Sequence, residues 1–172
     1  MYYQILENLP QIPKNLITKN LHIQEIKINQ DNQESGDGSK LFPRSRVTNE
    51  MVDWVTSNIT SDAISIDIAV TNMKSTSSQM HPHTDSTRVW TLMYILESGG
   101  PEHRTVFYKH RDPTLILQPR MNFTYDEVIE VDSIQIPLRT WVIINAQEIH
   151  SVENIPDTRI AFQIGMLHNP WE

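Results

Sequence analysis

From residue 63 onward the chain changes to a period of two. The runs "AISIDIAVTNM", "RVWTLMYIL", "RTVFYK", "EVIEVDSIQIPL", "TWVIINA" and "RIAFQIGM" follow one another, rich in β-branched and aromatic residues. Such side chains suit a pleated, half-buried surface. Between the runs lie "SGGPEH", "HRDP" and "NIPDT", whose Gly, Pro, Asn and Asp make tight turns. Many strands at short spacing predict a mainly β fold, a sandwich or a barrel such as a jelly roll.

Before residue 63 the signals are more mixed. "VTNEMVDWVTSNI" offers a Thr or Asn cap and places Met51, Trp54 and Val55 on one stripe, so a helix is expected there. Residues 1–30 read as short extended pieces with a turn at "LPQIPKNL". "HIQEIKI" alternates like a strand, and "NQDNQESGDGSK" reads as a flexible loop. At 172 residues the chain is most simply one domain, 1–172, with a β-core over about 63–168 and a supporting segment 1–62.

Composition narrows the chemistry. A net charge of −7 argues against a general nucleic-acid binder, and no nucleic-acid partner is expected. The chain has no cysteine, so thiolate nucleophiles, disulfides and Cys-held metals are ruled out. Any metal must be held by His and carboxylates. The N-terminus lacks the charged start and apolar run of a secretory signal, and no stretch approaches membrane-spanning length. A cytoplasmic location with no membrane partner is the expectation.

The hexapeptide "HPHTDS" puts His81 and His83 beside Asp85. Residues i and i+2 of a strand share a face, about 6.6 Å apart along the chain, so His83 and Asp85 aim the same way on a strand or at its end. His81 has the same parity, but Pro82 disrupts regular pairing there. Two ligands hold a catalytic metal poorly. The best third candidate is His150 in "WVIINAQEIHSVENIPDTRIAFQIGM". Arg159 follows nine residues later. A hairpin centred between Ile155 and Pro156 would set Arg159 opposite Val152 and on the side of His150. A register slip of one residue would reverse that face. On the returning strand Arg159, Ala161, Gln163 and Gly165 make a polar or small face suited to a pocket, and Ile160, Phe162 and Ile164 a face suited to core. Two histidines and a carboxylate on one face of a metal suit Fe(II), with positions left open for a bidentate oxo-acid and O₂. An arginine nearby would clamp the far carboxylate of that acid through its planar fork.

In this order, His83-Thr-Asp85, then His150, then Arg159 resembles the HxD…H…R signature of the Fe(II)/2-oxoglutarate-dependent dioxygenases. The segment "HTDSTRVWTLMYILESGGPEHRTVFY" is similar to their prolyl-hydroxylase-like branch, which follows the HxD with a strand of the form R-x-x-T-x-x-x-Y-L and a Gly-Gly turn. The resemblance covers roughly residues 63–168. It implies a double-stranded β-helix, the cupin-like jelly roll, with one or more helices before it. It also implies Fe(II) on His83, Asp85 and His150, 2-oxoglutarate on Arg159, and hydroxylation of a peptidyl or small-molecule substrate with O₂, releasing succinate and CO₂. A strand residue after the HxD touches the oxo-acid in that family. Thr91, Met93 and Tyr94 are the candidates; parity with Thr91 favours Met93, phenol chemistry favours Tyr94, and Thr91 and Tyr94 are the expected contacts. Two positions depart from the pattern: Ala161 stands where Ser is frequent, and Arg139 where Gly is common.

Plainer readings compete. A non-catalytic or metal-binding cupin-like jelly roll would need no turnover, and a Zn or Mn hydrolase would need a further general base. His103, His110 and His168 are expected at the surface, Arg88 and Asp85 can form an ordinary ion pair, and Trp90, Trp141 and Phe162 are expected in the core.

Overall fold

The computed structural model describes residues 1–23, 44–71, 81–85 and 87–172. It is mainly β. Strands β1 (Tyr3–Leu6), β2 (Arg44–Arg46), β3 (Ser65–Thr71), β4 (Trp90–Ser98), β5 (Arg104–His110), β6 (Val128–Ile134), β7 (Trp141–Asn145), β8 (Ile149–Glu153) and β9 (Arg159–Met166) form two antiparallel sheets. One has six strands in the order β1-β7-β4-β9-β3-β2, the other three in the order β6-β5-β8.

The sheets pack face to face, and each is covered again on its far side. Met93, Ile95, Val142, Ile144 and Ala161 of the larger sheet meet Phe107 and Ile134 of the smaller one. The opposite face of the larger sheet, with Leu92, Tyr94, Trp141, Ile143, Phe162 and Ile164, packs on Leu16, Met51 and Val55. Those three lie on two helices, α1 over 14–23 and α2 (Asn49–Asn58). The smaller sheet's far side is closed by Leu115, Leu117, Met121, Phe123 and Tyr125 against Val106, Tyr108 and Ile149. Cover on both sides explains why β4 reads as the near-continuous apolar run "WTLMYIL" rather than a strict alternation.

Helix α2 forms where the stripe and the cap predict it. Thr48 is the N-cap, its hydroxyl accepts from the Met51 N–H, and Met51 and Val55 are buried. The first thirty residues differ from expectation. Among the described residues of that stretch, 1–23, only Tyr3–Leu6 is a strand, and residues 14–23 are helical, so His22 and Ile23 belong to a helix rather than to a strand "HIQEIKI". Pro13 stands at the start of α1, where its missing N–H costs nothing, and its carbonyl accepts from the Ile17 N–H. The rest of that run, the loop "NQDNQESGDGSK" and residues 72–80 lie outside the described residues.

The segment from His150 to Arg159 is the main topological correction. β8 and β9 do not pair with each other. β8 pairs with β5 in the smaller sheet, whereas β9 pairs with β3 and β4 in the larger. The turn between them carries the chain across the sandwich, and Arg159 stands opposite Thr71 and Ser98, not Val152. The Gly-Gly turn packs on this crossing. The Gly99 carbonyl accepts from the Asp157 N–H at 2.8 Å, and Gly99 has a φ of 82°. A Cβ on Gly99 would come within 2.9 Å of the Asp157 carbonyl oxygen, and one on Gly100 within 2.8 Å of the Pro156 ring.

A candidate metal centre beside a buried arginine

His83, Asp85 and His150 each offer a ligand atom, and these atoms lie within 4.8 Å of one another. His150 comes from the regular strand β8, whose alternation sends His150 and Val152 to the cavity and Ile149 to the opposite apolar cluster. His83 and Asp85 come from the short segment 81–85. Its backbone is pinned from both sides. His83 and His150 exchange two N–H···O bonds, each 2.9 Å, while the Thr84 N–H donates to Met121 and the Asp85 N–H to Ala146. The spacing of two places His83 and Asp85 together, and Thr84 turns away to donate its hydroxyl to the Gln118 carbonyl.

Both imidazoles are oriented in the same way. The His83 Nδ1 lies 2.9 Å from the His81 carbonyl oxygen, and the His150 Nδ1 lies 2.9 Å from that of Glu148. A carbonyl only accepts, so each Nδ1 carries the proton and each Nε2 keeps its lone pair for an ion. Burial, reinforced by the charge His83 would carry, lowers the His150 pKa to about 4, so this ring is neutral near pH 7 as a ligand must be. Burial alone would raise the Asp85 carboxyl. The Arg88 guanidinium outweighs it, aided by His150 and His83, and holds the group below the usual carboxylate range. Arg88 Nε donates to Asp85 Oδ2 at 2.6 Å, while Oδ1 stands 3.7 Å from His83 Nε2. One carboxylate oxygen is thus occupied and the other is left toward the histidines. Behind β8, Glu153 accepts from Ser151 Oγ at 3.1 Å, from the Tyr108 hydroxyl and from Arg104 Nη2 at 2.8 Å, tying the His150 strand to β5.

The cavity holding these groups opens to solvent, and about 560 Å³ of space lies within it and its mouth. Arg159 lines it and is buried. Its Nε and Nη2 have no partner among the described residues. Burial lowers its pKa only to about 10, so it remains a cation at neutral pH. The hydroxyl of Thr91, Oε1 of Gln163 and Nη1 of Arg88 are likewise buried and without a partner among the described residues, and all three residues line the cavity. Buried polar groups are nearly always satisfied, and a cluster of exceptions in one cavity points to a polar ligand that completes them.

Several expectations are corrected here. Tyr94 does not reach the cavity; it lies on the helix-facing side of β4 with its ring 4.8 Å from that of Trp141. Parity decides the question, and Thr91 and Met93 are the β4 residues on the wall. The reading of His81 as a surface or supporting group rather than a ligand agrees with the structure: it is exposed and contributes its carbonyl, not its ring. His103 is buried rather than at the surface, with its ring nitrogens 2.9 and 3.1 Å from the carbonyl oxygens of Gly100 and Ile136. The ion pair of Arg88 with Asp85 is present, but it is buried and belongs to this site. Gln147, absent from the sequence reading, donates to the Arg88 carbonyl at 2.8 Å and to that of Asp85 at 3.3 Å, closing the turn after the HxD. No helix among the described residues is long and apolar enough to cross a membrane. The sequence matches no known family model and no curated protein.

Proposed function

We propose that the chain is an Fe(II)- and 2-oxoglutarate-dependent oxygenase on a double-stranded β-helix, hydroxylating a substrate with release of succinate and CO₂. The observation that carries this reading is one cavity lined by a His-Asp-His donor set and by a buried arginine whose Nε and Nη2 have no partner among the described residues. The fit to iron is chemical: two neutral imidazoles and one carboxylate match a borderline divalent ion and leave coordination positions open. A bare metal-binding scaffold has no use for the buried, unpaired cation of Arg159, which costs stability unless an anion meets it.

His83, Asp85 and His150 would hold the metal, and Arg88 would keep Asp85 ionised with one oxygen aimed inward. Arg159 would take the distal carboxylate of 2-oxoglutarate on its free Nε and Nη2 edge, with the Thr91 hydroxyl as a further donor. Met93, Ile144, Val152 and Ala69 make the apolar part of the wall and limit water around these charges. When bound, iron and the keto acid together supply the oxidising power, one atom of O₂ going to the substrate C–H and the other to succinate.

Anaerobic addition of Fe(II) and 2-oxoglutarate is expected to give a weak visible charge-transfer band. Asp85→Ala is expected to lose the band while keeping the wild-type circular dichroism. A wild-type protein that shows no band with both components present would refute the proposal.

A further inference from the structure

We infer that the substrate carries a carboxylate, and that Arg88 is its anchor. The inference deepens the oxygenase reading and rests on it. Arg88 is 5 % exposed, lines the cavity and uses only its Nε on Asp85; its Nη1 is buried with no partner among the described residues. Its place is built. Gly165 lies under the side chain, and a Cβ there would come within 3.2 Å of Arg88 Cδ and 2.7 Å of Ser65 Oγ. Gln147 fixes the backbone from which the side chain leaves.

The two cavity arginines serve different ends. Arg159 opens β9 and Gly165 is near its close, six residues on, about 20 Å along an extended strand. Arg88 packs on Gly165 and on Asp85, so an oxo-acid clamped on Arg159 at the other end of the strand leaves Arg88 free for a second anion. Charge gives the same answer. Among the described lining residues, histidines aside, the charged side chains are Asp85 against Arg88 and Arg159, which leaves one positive charge. A divalent ion and a doubly negative keto acid cancel each other, so the excess persists in the loaded site. A low-dielectric cavity disfavours an uncompensated charge, and a monoanionic substrate removes it while satisfying Nη1.

The test uses the anaerobic Fe(II) complex with 2-oxoglutarate just saturating, so that Arg159 is filled. Acetate and its neutral isostere acetamide are titrated by calorimetry. Acetate is expected to bind, and acetamide at least about tenfold more weakly, as charge-assisted bonds to a guanidinium imply. Arg88→Gln is expected to lose that preference, and Arg88→Lys, which keeps the charge and its attraction to Asp85, to retain part of it. Equal affinities for acetate and acetamide in the wild type, or an unchanged preference in a folded Arg88→Gln protein, overturn the anchor. If the variants fail to fold, the wild-type pair decides alone. A complex that never develops the visible band overturns the oxygenase reading and this one with it, whereas a band with no acetate preference overturns only the anchor. A second arm compares acetyl-Gly-Asp-Gly-amide with its Asn counterpart. An Asp preference assigns the carboxylate to a peptide side chain; acetate binding without it assigns the carboxylate to a free acid.

Discussion

The two faces of the larger sheet are built from the same strands and could hardly differ more. On β9, Ile160, Phe162 and Ile164 meet the helices in an apolar layer, while Arg159 and Gln163 face a cavity with unpartnered polar atoms. The helix face contributes stability. The cavity face withholds it, burying a guanidinium, a hydroxyl and an amide oxygen that have no partner among the described residues. Alternation along a strand lets one residue offset the cost of its neighbour.

Substitution can break that comparison. The largest effect belongs to the helix face: Phe162→Ala, at a side chain 1 % exposed, is expected to cost about 3–5 kcal/mol in chemical denaturation. Next comes acidification, acting at the groups that meet that face across the cavity. The His150 pKa is about 4 when folded and about 6.5 when unfolded. The folded state therefore binds fewer protons in that window, so this contribution is complete above about pH 6.5 and is lost as pH falls toward 4. It amounts to roughly 3 kcal/mol in the metal-free protein. The depressed Asp85 carboxyl acts in the same direction at lower pH. A melting series from pH 7 to 4 should show this slope, and His150→Gln should flatten it.

A smaller effect of opposite sign is expected at Arg159. Arg159→Leu removes a buried unpaired cation and should stabilise the ligand-free protein by about 1–2 kcal/mol. On the oxygenase reading, 2-oxoglutarate with Fe(II) is expected to raise the melting temperature of the wild type, and the same change to abolish that rise. A loss of stability instead would mean that the cation has partners in the ligand-free state. The smallest effect lies outside both faces. Arg139 is exposed, with φ at 55°, and Arg139→Gly should gain about 0.5–1 kcal/mol by relieving a left-handed backbone. The consequence of an arginine at this position is local strain.

Much of this architecture was legible because β patterning is local. Six of the runs quoted from residue 63 onward coincide with strands, and the faces of β9 alternate as their residue types suggest. What failed was long-range. A turn at "NIPDT" looks the same whether the next strand pairs with the last one or crosses to another sheet, so the His150–Arg159 hairpin was misplaced. Those two residues reach one cavity because the sheets face each other across it. Tyr94 was favoured by chemistry over parity, and parity prevailed. Helix α1 was hidden because Ile12, Leu16 and Asn20 make a thin stripe in which a buried Asn, bonded to the Leu16 carbonyl, replaces an apolar residue. Arg88, three residues after Asp85, carried the one signal at the site that was read too plainly.

The crossing between β8 and β9 has a consequence for selectivity. His150 and Arg159 sit at the two ends of one short tether, and Gly99 grips its middle through the Asp157 amide. Neither sheet can slide without dragging the other residue along. On the oxygenase reading this tether works as a ruler between metal and clamp: keto acids one carbon shorter or longer than 2-oxoglutarate would reach one end and miss the other.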